Sequence, residues 1–306
     1  MLTVTTELPP LRILLGADAG IDVGVPVLAG EAVENLFGPA RPAGRVGDLT
    51  LYQAGDWLLG AASVPLVAGL EDAARRIYES IFQATRDLHL ARIWNYVPAI
   101  NEPGPGGVEN YRHFCQGRSL AFEQHYGTGF NARLPSASAV GCKPGALTVA
   151  FAASRFVPRH VENPLQVAAY DYPRAYGPRA PSFARATVVP GPERATVFIS
   201  GTAAIRGHAT VAGLDTGGQL DCTLENLREI GRACGLGTGL DAGGGSERHF
   251  KVYVRHAADQ PLVAARLEQR LLLGTDRVSY LQAGICRASL FVEIEASLFG
   301  VSTLRS

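Results

Sequence analysis

The sequence has almost no lysine: of its 28 basic residues only Lys143 and Lys251 are not arginine. The 28 acidic residues cancel that charge, so nothing global draws the chain to nucleic acid or to an anionic membrane surface. Five cysteines (Cys115, Cys142, Cys222, Cys234 and Cys286) make an odd number without a C-x-x-C pair. That excludes a disulfide framework and fits reduced thiols in a cytoplasmic protein. The seven histidines are scattered without H-x-x-x-H spacing, so no metal is expected. There is no G-x-S-x-G elbow and no Walker loop, and no cofactor is expected. No apolar run approaches 18 residues, and no basic segment followed by an apolar one opens the chain. A cytoplasmic location without a membrane partner is the expectation.

What is present is a chain of 306 residues, 47% hydrophobic, that nearly repeats itself. Residues 57–66 (WLLGAASVPL) and 197–205 (VFISGTAAI) each read as an apolar strand, a Gly and small residues. An amphipathic helix follows each. Leu70, Ala74, Ile77, Ile81 and Phe82 form the stripe in the first copy; Leu220, Leu224, Leu227 and Ile230 form it in the second, with Gly235 as the stop. A strand, a second helix and a closing strand region follow in each copy, the last over residues 138–154 and 282–297. The order β-α-β-α-β, with helices on one face of a sheet, predicts a duplicated α+β fold.

The closing strand of the second copy carries Glu293 and Glu295 in VEIEA. Residues two apart in a strand share a face, and paired carboxylates repel and are costly to bury. The first copy has Ala150 and Ala152 at the matching places, so the strand folds without acids. An exposed edge strand would also alternate glutamates; chemistry is the sharper reading.

Between the copies, residues 156–193 show no regular period, and their prolines exclude a helix or central strand. Arginines cluster there with Tyr170, Tyr172 and Tyr176, so a binding loop is preferred over a linker. The Gly-rich stretch 235–247 precedes a strand rather than a helix, the wrong setting for a phosphate loop, and reads as a flexible insert. His113 and Cys115 lie two apart on a helix and face apart, which argues against a thiol–imidazole pair. An acid pair, arginines and tyrosines remain, a set suited to general acid catalysis on a small anionic molecule.

The second copy resembles the RidA/YjgF family in Ser200-Gly201, in Leu224-Glu225-Asn226-Leu227 and in VEIEA. That resemblance places ligand-site residues at Gly201, Cys286 and Glu293. The arginine that RidA-type imine deaminases carry two residues before the cysteine is Gly284 here, which counts against imine deamination. The whole chain more closely resembles the chorismatases, through ENYRHFCQGRSLAFE, LPSASAVG, ENPLQVAAYDYPRAYGPRAPSFARAT and FISGTAAIRGHATV. The chorismatase resemblance implies a degenerate N-terminal RidA-like domain (1–154), a connecting and binding segment (155–195) and a catalytic RidA-like domain (196–306).

The activity so implied is cleavage of the enolpyruvyl ether of chorismate, releasing pyruvate without cofactor or metal. Gly201 and Cys286 match the members that form 3-hydroxybenzoate, some with 4-hydroxybenzoate as a second product. Other members hydrolyse chorismate to a dihydroxycyclohexadiene carboxylate. Glu293 is expected to donate the proton and Glu295 to tune it. Arg179, Arg185 and Tyr170 are expected to hold the carboxylates, with Arg118 and Arg133 closing the pocket. A monomer or homotrimer is expected, and a keto-acid-binding module without turnover is the alternative.

Overall fold

The computed structural model describes residues 8–16, 19–237 and 239–302. Strands β1 (Pro10–Leu14), β2 (Gly20–Gly30) and β3 (Val33–Glu34) come first. The first unit then runs β4 (Arg41–Val46), β5 (Leu49–Ala54), β6 (Trp57–Pro65), α1 (Leu70–Ala84), β7 (His89–Pro98), α2 (Asn110–Tyr126), β8 (Ser136–Cys142) and β9 (Ala146–Ser154). The second opens with β10 (Arg159–Val161), β11 (Ala186–Val189) and β12 (Ala195–Ala203). A small hairpin, β13 (Ile205–Arg206) and β14 (Ala209–Thr210), precedes α3 (Thr216–Cys234) and β15 (Glu247–Val254). The unit closes with α4 (Gln260–Arg270), β16 (Arg277–Gln282) and β17 (Val292–Val301).

The two units have one topology. Their strand orders are β4-β5-β6-β9-β7-β8 and β10-β11-β12-β17-β15-β16. In each, one parallel pair, β7–β8 or β15–β16, is joined by the second helix, because parallel neighbours need a crossover. The predicted helical stripes are buried in both copies. Asp215 caps α3 by accepting a hydrogen bond from Gly218 N at 2.7 Å, and Gly235 ends it with φ +88°.

Helices α1 and α2 cover one face of the first sheet, and α3 and α4 cover one face of the second. The opposite faces pack on each other through Trp94, Tyr96, Ala150 and Ala152 from the first unit and Phe198 and Tyr253 from the second. The result is four layers, helix–sheet–sheet–helix. Each fully buried Leu or Phe contributes about 1.5–3 kcal/mol to holding them together.

Three sequence readings change. Residues 10–34 do not stay with the first unit: β2 pairs with β16, lengthening the second sheet to nine strands. Residues 155–195 are not a stretch between units, because β10 and β11 are the first two strands of the second sheet and 162–185 is an insertion within it. The Gly-rich stretch after α3 is anchored, with Leu236, Leu240 and Ala242 buried against the helix-side core.

Candidate active site

Strand β17 lies between β12 and β15, so its glutamates are not on an edge. Glu293 pairs with Ala203 and Tyr253, and Glu295 with Lys251. Both side chains enter the layer between the sheets, only 3% and 2% exposed. The pairing of β12 with β17 is irregular between Ile199 and Thr202, where Ser200 and Gly201 bulge against a single partner residue. Ser200 Oγ donates to Ala184 O (2.6 Å) and accepts from Ala137 N (2.9 Å), tying the bulge to the insertion and to β8. Gly201 then faces Glu293 at contact: a Cβ there would overlap Glu293 Oε1 and lie 2.7 Å from its Cδ.

A cavity of about 410 Å³ opens beside this pair. Both units build it. The first supplies Tyr111, Arg112 and Arg118 from α2 and Ala137, Ser138 and Ala139 from β8. The insertion adds Tyr172, Tyr176, Pro181, Phe183 and Arg185. The second unit closes it with Gly201, Ala203, Ile205, Glu293 and the loop Cys286–Ser289 that leads into β17.

Charge in the cavity is unbalanced in a way that needs a ligand. Arg118 is 1% exposed; its polar neighbours are Cys115, whose Sγ lies 3.8 Å from Nη2, and the Tyr78 hydroxyl, neither of them a carboxylate. Arg185 donates to Val167 O (3.1 Å) and Tyr172 Oη (2.8 Å). Neither forms an ion pair among the described residues, and the Nε of each is buried and unpartnered. Aromatic faces cushion both: Phe114 and Phe183 for Arg118, Tyr172 and Phe183 for Arg185. A buried cation without a counter-ion costs several kcal/mol, which a bound carboxylate offsets.

Ionisation separates the two glutamates. Burial first, and then the neighbouring Glu295, push Glu293 up to about 8, against Arg92 and Arg185. Glu293 is therefore mostly a neutral acid at pH 7. Burial also pulls Glu295 upward, but Lys251 and Arg92 outweigh it and hold this carboxyl down at about 2. Burial, with Glu293 adding to it, lifts the Cys286 thiol to about 12, so it stays protonated and is no nucleophile. Two carboxyls driven apart in this way divide into an acid and a fixed anion.

The structure brings together Glu293, Cys286, Gly201, Arg185 and Arg118. It does not bring in the other expected residues. Glu295 stands one layer behind the lining, hydrogen-bonded to Trp94 and ion-paired to Arg92 and Lys251. Arg179 is held by Glu123 on α2 (2.7 Å) and pins the insertion to the first unit. Tyr170 packs on the helix-side core of the first unit, and Tyr172, two residues on, lines the cavity in its place. Arg133 lies over the Tyr126 ring in another cleft.

Sequence reading missed Arg287, Ser138 and Tyr111 in the lining and Arg92 and Lys251 behind it. Arg287 lies 4.1 Å from the Tyr176 ring centre and 5.4 Å from that of Tyr172, so it roofs the cavity with the two tyrosines. A lysine in the middle of the apolar strand FKVYV was the available signal for a buried counter-ion.

The sequence model described as "Chorismatase FkbO/Hyg5-like, N-terminal" matches residues 38–153, which is the first unit without β1–β3. A chorismatase of Streptomyces hygroscopicus is 37% identical over 274 residues, 87% of this chain and 79% of the relative. A 3-hydroxybenzoate synthase of the same species is 37% identical over 260 residues, 81% of this chain and 75% of the relative. A chorismatase crystal structure matches with TM-score 0.75 at 36% identity, over 84% of this chain and 80% of that one. Relatives this similar, over most of their own length, show that the chain belongs to the chorismatase family.

Proposed function

We propose that the protein cleaves chorismate to 3-hydroxybenzoate and pyruvate by general acid catalysis. The observation that carries this reading is a buried, neutral Glu293 beside two buried arginines that form no ion pair among the described residues. Chorismate bears two carboxylates for such cations and an enol ether whose methylene must accept a proton. Arg118 and Arg185 hold the carboxylates, and Tyr172, Tyr176 and Arg287 cover the substrate. Gly201 gives Glu293 its place. A positioned acid is worth about 100- to 10,000-fold in rate.

Protonation of the methylene by Glu293 Oε makes an oxocarbenium carbon in the side chain. The C4 hydroxyl of the ring attacks C3, the C3–O bond breaks, and that oxygen leaves as the ketone of pyruvate. The resulting epoxide opens at C4 and loses the C3 proton, aromatising to 3-hydroxybenzoate with the oxygen kept on C3. Glu293, now a carboxylate, regains a proton as the hydroxyl and ring protons are released. The two products add up to chorismate with no water consumed and no change of oxidation state, so no cofactor enters the balance. Walls formed by Ala137, Ala139, Phe183, Ala203 and Ile205 favour this internal attack over attack by water. The relative named 3-hydroxybenzoate synthase supports this product.

Five unbridged cysteines suit the reducing cytoplasm. The test is Glu293→Gln, which keeps shape but cannot deliver a proton. A kcat loss of 100-fold or more with KM little changed supports Glu293 as the donor; a loss below fivefold excludes it.

A further inference from the structure

The first unit has alanines where the second has its acids, yet it retains a fully buried arginine, Arg92, beneath them. On β7 Arg92 pairs with Ala152; on β15 Lys251 pairs with Glu295. The two cations thus occupy the same place in the repeated topology. Because the sheets face each other, both reach one carboxylate. Arg92 Nη2 is 2.8 Å from Glu295 Oε2, and Lys251 Nζ is 2.9 Å from Oε1.

We propose that Arg92 and Lys251 are positioning residues for the acid step, a two-armed clamp that fixes the Glu295 carboxylate directly behind Glu293. The proposal rests on the reading of Glu293 as the proton donor. Every element packed on Glu295 contributes. From β7, Trp94 Nε1 donates to Oε1 at 2.9 Å. From β15, Tyr253 Oη donates to Oε2 at 3.3 Å. From β8, Ser138 Oγ accepts from Arg92 Nη2 at 2.9 Å and reaches the cavity wall. From β3, Glu34 Oε2 takes the other side of Lys251 Nζ at 2.7 Å, with Tyr96 Oη 3.4 Å from the same nitrogen.

The arithmetic of charge explains the arrangement. Arg92 and Lys251 cancel Glu34 and Glu295, and no ion pair is left for Glu293 among the described residues. Burial and the fixed Glu295 anion beside it oppose a second negative charge there and outweigh Arg185 across the cavity, so Glu293 keeps its proton. A merely structural role explains less, because buried ion clusters stabilise a fold poorly and the first unit folds with Ala152 at the same place. The N-terminal strands gain a purpose too: they deliver Glu34.

The carboxylic-acid C=O infrared absorption of the free protein, followed against pH, reads both carboxyls without substrate. Glu293→Gln and Glu295→Gln assign the bands. In Arg92→Met and Lys251→Met a band belonging to Glu295 is expected to appear by pH 5. On chorismate, kcat is expected to fall about tenfold or more while KM stays within about threefold, since neither side chain lines the cavity. Folded methionine variants that keep Glu295 ionised at pH 5 and kcat within twofold of wild type would overturn the proposal. Glu295→Gln, nearly isosteric, covers a methionine variant that fails to fold. There the Glu293 band is expected to fade at least one pH unit earlier, and an unmoved band would contradict the clamp. A wild-type protein that releases no pyruvate from chorismate would sink the functional reading and leave the infrared result standing.

Discussion

Gly201 and Glu293 occupy one space: the Glu293 carboxyl lies where the side chain of residue 201 would be. Gly201→Ala is therefore expected to push the acid off its position while leaving the sheet intact. A kcat loss of about 10- to 100-fold with KM within a few-fold is the expected outcome, checked by steady-state kinetics with chorismate. A crystal structure of the variant with the Glu293 carboxyl unmoved would contradict the explanation. Sequence reading placed Gly201 among the ligand-site residues; the structure shows that its missing side chain makes room for the acid itself.

The raised Glu293 fixes the sign of the pH dependence. The acid must be protonated, so kcat is expected to be flat below about pH 7 and to fall as pH rises through about 8. Glu295→Gln removes the neighbouring negative charge and moves that fall to lower pH. A kcat that rises through pH 8 would assign Glu293 the role of a base.

The same group loads the fold. Its carboxyl is held near 8 in the native state against an ordinary value of 4.5, so its stabilising contribution is complete below the ordinary value and lost as pH rises through 8. At pH 7 the unfolded chain ionises this group and the folded one does not. Glu293→Gln removes that penalty and is expected to raise stability by roughly 3 kcal/mol at pH 7. The gain should vanish at pH 4. Denaturant titrations at the two pH values check it, and an equal effect at both would contradict the account.

Arg118→Met and Arg185→Met are expected to raise KM for chorismate by an amount corresponding to about 2–5 kcal/mol. Without substrate neither variant should lose much stability, because each removes a buried charge that forms no ion pair among the described residues and whose Nε has no hydrogen-bond partner. Arg179→Ala should behave differently: its partner is Glu123, so the insertion loosens and KM changes less. Similar KM effects for all three would mean that the insertion moves when substrate binds.

The two copies were legible in the sequence because repeated small-residue strands and helical stripes are local patterns. Glu293 and Glu295 were legible because one copy could be compared with the other. The insertion was not legible residue by residue. It has no period, so nothing in the spacing says that Tyr172 faces the cavity and Tyr170 the core. Which sheet β1–β3 extend was hidden for a similar reason: strand pairing across nearly 250 residues leaves no local trace. Arg92 and Lys251 were visible as charges inside apolar strands, but their shared partner lies across two sheets.

The most direct test of the central claim is incubation of the pure protein with chorismate in ¹⁸O-water, with pyruvate and the aromatic product measured together. The account predicts equal amounts of pyruvate and 3-hydroxybenzoate, the phenolic oxygen unlabelled because it comes from the C4 hydroxyl of chorismate. No pyruvate, or a dihydroxycyclohexadiene carboxylate as the main product, would contradict it, and label in the phenolic oxygen would contradict the internal attack.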